Sequence, residues 1–279
     1  MAATGTCALD PEPNGSAAPD GPAGSDPLVA VMGAVLSSGA GFLRLYHRHE
    51  INAGGDLPDG PVLFVANHGF GGIVDLNVFA SLAALAAISP NRDATILCHQ
   101  LAWTLKVGRI VEAAGALPAD YRSAAQAFAR GKHVLVFPGG DVEQGKSFPD
   151  RDKIVFAGRR GFARLAVDNG VPIVPVVTAG AGESLLVLSD GQRLARALRL
   201  DRALRMKALP VSVSLPWGLN VGVVGLLPYL PLPTKLTTTV LDPMWPADGE
   251  PPDAFGDRVE TAMQTALSTM TAQRTPLLG

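Results

Sequence analysis

A single α/β domain, with a central, mostly parallel sheet flanked by helices, is the fold class the sequence predicts. Two patterns predict it. Short apolar runs alternate with helical stretches from Pro61 onward, and runs such as Val62–Ala66 (VLFVA) read as strands buried on both faces. That combination calls for parallel strands joined by helical crossovers. A length of 279 residues sets a soft bound of one large domain or two small ones, and no internal repeat divides the chain.

The elements follow in order. Residues 1–27 hold five prolines, four glycines, four acids and no base. A secretory signal needs a positive start and an apolar core, so this segment is expected as a disordered acidic tail preceding a domain over 28–279. Leu28–Leu43 is apolar, interrupted by glycine and followed by the polar Arg44–Glu50. It is short for a membrane span and reads as a buried or interfacial helix. Then come a strand at Val62–Ala66, a helix at Val74–Ile88, a strand at Ala94–Cys98, a helix at Tyr121–Arg130 and a strand at His133–Phe137. A helix at Arg160–Asn169, closed by Gly170, leads into a strand at Val171–Thr178, and a last helix covers Asp253–Ala272.

Composition narrows the function classes. Hydrophobic residues make up 47% and charged residues 17%, below the roughly 25% usual for soluble domains. Mean hydropathy is +0.23. The chain therefore has enough apolar surface to fold, yet no run of roughly 18 apolar residues forms a clean span. A net charge of -2 and 6% aromatic residues offer no basic stripe for nucleic acid. Cys7 and Cys98 are far apart, without disulfide or metal spacing, and suit a reducing compartment; no metal centre is expected. The surplus apolarity gathers near the middle. Arginines 193, 196, 199, 202 and 205 recur among leucines, and Ala208–Thr234 then runs 27 residues without a charge, broken by five prolines. Residues 190–234 read either as buried core beside a solvated helix or as a membrane-facing segment or acyl-chain groove.

Candidate chemistry sits where apolar strands end. Asn67-His68 follows the first buried strand, then Gly69-Phe70-Gly71-Gly72, with Asp75 at the start of the next helix. Open α/β sheets place their sites at strand carboxyl ends. An aspartate that holds one imidazole nitrogen frees the other to take a proton from an alcohol. The same residues also fit a structural histidine beside a helix-capping aspartate. Phe137-Pro138-Gly139-Gly140-Asp141 ends another strand, and Arg159, Arg160 and Glu183 follow in polar stretches; arginines at strand ends suit phosphates or carboxylates, and equally an ordinary surface. Gly140 to Lys146-Ser147 satisfies the P-loop spacing. Asp141 and Glu143 would put negative charge where phosphates lie, so nucleotide binding is the weaker alternative. His47 and His49 form an H-x-H pair expected on a strand or loop surface.

Taken in order, these segments resemble the PlsC-like glycerolipid acyltransferase superfamily from about Leu57 to Leu241. Asn67-His68…Asp75 resembles its first motif, Phe137-Pro138-Gly139-Gly140 its FPEG motif, and Val171-Pro172-Ile173-Val174-Pro175-Val176 its fourth. The stretch from Arg160-Gly161-Phe162 to Gly182-Glu183 is similar to the diacylglycerol-acyltransferase-like branch. The resemblance implies a peripheral-membrane O-acyltransferase on the cytoplasmic face, with acyl-CoA or acyl carrier protein as co-substrate, a lipid alcohol as acceptor and no bound cofactor. It implies His68 as general base and Asp75 as its orienting partner. Substrate contacts would come from Asn67, Gly71, Gly72, Phe137, Pro138, Gly139, Gly140, Asp141, Arg159, Arg160 and Glu183. A catalytically lapsed lipid-binding protein is the alternative. Three departures stand out. Six residues rather than four separate His68 from Asp75; as continuous helix that is about 10 Å, so the glycine turn must fold them together or Asp141 takes over the carboxylate role. Gly139 stands where FPEG has glutamate, and Gly115–Ala119 lacks the second-motif arginine. Both losses favour a neutral or unusual alcohol acceptor over glycerol 3-phosphate.

Overall fold

The computed structural model describes residues 27–69, 75–98, 108–198, 209, 211–221 and 229–279. Along the chain lie α1 (Pro27–Tyr46), β1 (Glu50–Ala53), β2 (Leu63–Ala66), α2 (Leu76–Ile88), β3 (Ala94–Cys98), α3 (Gly108–Ala113) and β4 (Ala116–Pro118). Next are α4 (Tyr121–Ala129), β5 (His133–Val136), α5 (Gly140–Gln144), α6 (Gly161–Asn169), β6 (Ile173–Ala179), β7 (Leu186–Ser189) and α7 (Gln192–Ala197). Last come β8 (Val211–Ser214), β9 (Gly218–Val221), β10 (Thr237–Val240) and α8 (Pro252–Thr271).

Seven strands form one sheet in the order β1-β10-β6-β2-β5-β3-β4. The five from β6 to β4 are parallel, and β10 runs antiparallel to β6 at one side. The central strand β2 shows why Leu-Phe-Val-Ala makes a buried parallel strand. Leu63 and Val65 pack with residues of α4, α6 and α8 on one face, while Phe64 and Ala66 meet α2 on the other. With apolar side chains on both faces, either side can be roofed by a helix. Truncating the fully buried Phe64 to alanine is expected to cost about 3–5 kcal/mol. Helix α6 buries Phe162, Ala163, Leu165 and Ala166 and ends at Gly170, whose φ of 61° is the left-handed cap the sequence anticipates.

Three features differ from expectation. Helix α1 is formed, but among its described side chains Leu43 alone is buried, against Leu76, Ala80 and Leu236. Phe42 and Leu45 are exposed, so the described end of this helix is only partly buried. Secondly, the H-x-H pair is not at the surface. His47 is fully buried at the end of α1, with Nδ1 3.0 Å from the Thr234 carbonyl oxygen, and burial lowers its pKa. His49 Nε2 lies 2.8 Å from Thr238 Oγ1, and burial pushes its pKa down to about 4. Together they tie the end of α1 to β10 and to the segment entering it. Thirdly, part of the uncharged stretch forms β8 and β9, which join β7 in a separate three-stranded antiparallel sheet. Val74, Arg199, Arg202 and Arg205 lie outside the described residues, as do residues 1–26 of the expected acidic tail.

Candidate active site

The carboxyl ends of β2 and β5 sit side by side, and the chain leaves each into a turn that carries polar residues. Immediately beyond β2, His68 is buried, with 8% of its surface exposed. Its Nδ1 lies 2.5 Å from Asp75 Oδ2. The six-residue separation is therefore bridged, and Asp141, which lies within α5, is not needed as a substitute partner. Asp75 is also the N-cap of α2: its Oδ1 accepts the Asn77 N–H at 2.9 Å. The helix-capping and histidine-orienting roles that compete in the sequence are thus filled at once, one by each carboxylate oxygen. The loop between passes through Gly69, where a Cβ would lie 2.7 Å from Ala181 Cβ, so only glycine fits without displacement. Gly71 and Gly72 lie outside the described residues.

The turn after β5 builds the opposite wall. Phe137 stacks on the His68 ring, with centroids 4.7 Å apart and planes at 29°. Phe137 also lines an apolar cavity of about 280 Å³, shared with Leu97, Tyr121, Pro138, Phe162 and Leu165. Arg159 donates to the carbonyl oxygens of Pro138 and Gly139, which fixes the turn. The Gly140 N–H returns to Phe137 O at 3.3 Å, so it is engaged within the turn rather than aimed at a ligand.

Two functional candidates escape sequence reasoning. Glu143 is completely buried, and its carboxylate accepts the His68 N–H at 3.0 Å and the Val155 N–H at 3.1 Å. A Cβ on residue 139 would fall inside the Glu143 side chain. The glycine that replaces the FPEG glutamate therefore makes room for a carboxylate supplied from one helical turn further on. Burial raises the Glu143 pKa and lowers that of Lys146, which lies 3.6 Å from it; their mutual attraction opposes both shifts. Beside it, Gln144 Nε2 lies 3.3 Å from His68 Nδ1 and 3.5 Å from His68 Nε2. Both residues belong to the P-loop-like stretch. The acids that argue against phosphate binding are the signal that this segment serves something else. Lys146, the supposed phosphate lysine, is buried and donates to the Lys153 carbonyl at 2.5 Å, so the P-loop alternative fails.

Three more of the anticipated substrate contacts are spent on structure. Asn67 clamps β6, accepting the Thr178 N–H at 2.9 Å and donating to Thr178 O at 3.1 Å, which engages both ends of its buried amide. Arg160 turns away to Asp257 and Glu260 on α8, at 2.5 and 2.6 Å. Glu183 is buried and holds the chain end through Arg274 at 2.7 Å, Thr234 Oγ1 at 2.9 Å and the Leu277 N–H at 2.6 Å. These polar groups read as ligand-binding in sequence because their partners are 51 to 111 residues away.

A largely parallel sheet with a buried imidazole–carboxylate pair at its carboxyl edge places the chain among the α/β enzymes. Within that class, residues 46–179 match the Acyltransferase family model, and this segment, which contains His68, Asp75, Glu143 and Gln144, is an acyltransferase-family domain. An uncharacterized protein of Mycobacterium tuberculosis is 30% identical over 250 residues, covering 85% of this chain and 66% of the relative's length. An enzyme of Gallus gallus named as a DGAT1/2-independent enzyme synthesizing storage lipids is 24% identical over 192 residues, covering 68% of this chain and 55% of its own. The crystal structure of the 1-acyl-sn-glycerophosphate acyltransferase PlsC from Thermotoga maritima aligns with 88% of this chain and 83% of its own, at 16% identity and a TM-score of 0.47.

Proposed function

We propose that this protein is an O-acyltransferase that moves a fatty acyl group from acyl-CoA or acyl carrier protein to a lipid alcohol, either a lysophospholipid or an acylglycerol. The observation that carries this is the 2.5 Å contact between His68 Nδ1 and Asp75 Oδ2 inside an acyltransferase-family domain. With Nδ1–H donated to the carboxylate, Nε2 is the basic nitrogen. It takes the proton of the acceptor hydroxyl as the oxygen attacks the thioester carbonyl. The tetrahedral intermediate then expels the thiolate, breaking the C–S bond, and the imidazolium returns its proton to the sulfur. An ester and a free thiol result. General-base catalysis of this kind contributes about 10²–10⁴ in rate.

The apolar cavity beside Phe137 suits a hydrocarbon tail, since the ring that forms its wall also stacks on the base. Its volume, about 280 Å³, is at the low end for ligand pockets, which favours a short chain or part of a longer one. The storage-lipid name of the avian relative inclines the acceptor towards an acylglycerol. A lipid acceptor and a water-soluble thioester donor together favour a peripheral position on the cytoplasmic face of a membrane.

The test is thiol release from acyl-CoA in the presence of lysolipids, acylglycerols or long-chain alcohols, with mass spectrometry of the lipid products. New ester together with stoichiometric thiol is the expected result. Lipid binding with no thiol released from any acceptor would replace this function with the lapsed, lipid-binding one.

A further inference from the structure

The β7-β8-β9 sheet is built inside out. Where one face of a sheet meets a core and the other meets water, apolar side chains alternate inward and polar ones outward. The Val-Ser-Val-Ser of β8 does the reverse: Ser212 and Ser214 are buried while Val213 is exposed. Strand register carries the inversion across the sheet. Val213 stands opposite Leu186 on β7 and Leu219 on β9, and Val211 stands opposite Val221. Leu186, Leu219 and Val221 are all exposed, Leu219 to 67%. Leu215 and Trp217 extend the same apolar surface into the β8–β9 turn, with Trp217 48% exposed. On the inner side Asn220 donates to Ser214 Oγ at 3.2 Å, which helps hold this register. A one-residue slip would bury the valines, so the inversion is a specified arrangement.

Charge indicates what covers this face. From Ala208 to Thr234 the sequence contains no charged residue. Helix α7, which follows β7 after a two-residue turn, exposes Arg193 and Arg196 beside Leu194 and Leu198. An uncharged apolar sheet, with exposed cations on the helix that follows its first strand and a tryptophan in its β8–β9 turn, matches hydrocarbon below and anionic headgroups above. A specific protein partner would instead call for several polar groups to fix its orientation, and the outer face of β8 carries only Val211, Val213 and Leu215, with Ser189 of β7 opposite Val211. The sheet also adjoins the site: Tyr229 packs against Leu185 and Val187, and after burial itself the charge of Asp75 raises the pKa of its phenol.

We infer that the outer face of the β7-β8-β9 sheet is the surface by which this protein docks on a phospholipid bilayer, with Arg193 and Arg196 at anionic headgroups. This deepens the proposed membrane location and rests on it for the choice of lipid as the partner.

Flotation of the full chain with vesicles tests it, using phosphatidylcholine alone or with phosphatidylglycerol. The wild-type chain should float with both and more strongly with phosphatidylglycerol, an increment that salt removes. A Trp217→Ser/Leu219→Ser variant should lose at least about tenfold in partition, since two large apolar side chains leave the bilayer. Arg193→Gln and Arg196→Gln should each remove about fivefold, and only on the anionic vesicles. Circular dichroism that matches wild type would show the variants folded; Leu215→Ser provides a second, independent lesion of the same face. Equal flotation of wild type and both sheet variants overturns the inference. So does a stable dimer in lipid-free sedimentation that the sheet variants dissociate, because a second copy would then own the surface. A protein that floats but releases no thiol fails the acyl-transfer function alone. One that turns over detergent-dispersed acceptor without floating fails the docking inference alone.

Discussion

His68 and His133 are both buried histidines at the ends of neighbouring parallel strands, yet they occupy opposite edges of the sheet and have different partners. At the amino edge His133 has both ring nitrogens engaged: Nδ1 takes the Val62 N–H at 3.1 Å, and Nε2 meets Ser89 Oγ at 3.0 Å. Burial, followed by the nearby Arg92 charge, pushes its pKa down to about 4, so it is a neutral fastening between strand and helix. At the carboxyl edge His68 has a carboxylate on Nδ1 and a stacked aromatic wall. Burial alone does not distinguish a base from a rivet. The partner of the first nitrogen, and what remains for the second, does.

The comparison can be broken by mutation, starting with the largest effect. His68→Ala should lower acyl-transfer kcat by about 10²–10⁴ without unfolding the chain, read as thiol release beside a thermal melt. Turnover near wild type would remove His68 from the chemistry. Asp75→Asn separates the two duties of that side chain. Asparagine remains a good helix N-cap, so stability should stay within about 0.5 kcal/mol, while loss of the carboxylate lowers kcat by up to about 10⁴. Asp75→Ala should add a cap penalty of about 1 kcal/mol in denaturant unfolding.

Glu143→Gln should cost about 1–3 kcal/mol, because its amide end would face an N–H donor in a buried site. A fall in kcat with little change in KM would show that it positions His68 rather than binding substrate. The smallest effect belongs to the other edge. The unfolded chain binds a proton at His133 near pH 6.5, and the folded one only near 4. Stability from this group is therefore fully present above pH 6.5 and declines as pH falls towards 4. His133→Asn should flatten that part of the urea-midpoint profile and leave thiol release unchanged at neutral pH.

Much of this was legible in the residues. Apolar runs located four of the five interior strands, β2, β3, β5 and β6, to within two residues, because a strand covered on both faces leaves a continuous apolar signature; β10, Thr-Thr-Thr-Val, has none. His68 and Asp75 were legible because a strand end and a helix start are local features. What escaped was non-local. Asn67, Arg160 and Glu183 look like free polar groups until the fold delivers Thr178, Asp257 and Arg274 to them. Glu143 was hidden by the ordinary rule that acids face water. His47 was misplaced because its cover comes from Thr234, 187 residues away. The inverted sheet was legible as uncharged sequence but not as an orientation, since alternation gives a period and not the side that faces out.

The double use of Asp75 has a consequence for how such sites are searched for and how they vary. The imidazole is anchored to the end of a strand and its carboxylate to the first turn of a helix. Their separation in space is then a property of the scaffold and not of the number of residues between them. A pattern search that insists on one spacing would pass over this chain, although the two groups meet at 2.5 Å. Lengthening the connection adds loop entropy that grows only slowly with each residue. The segment beside the reacting atoms can thus gain or lose residues, and with them substrate preference, while the chemistry it borders stays in place.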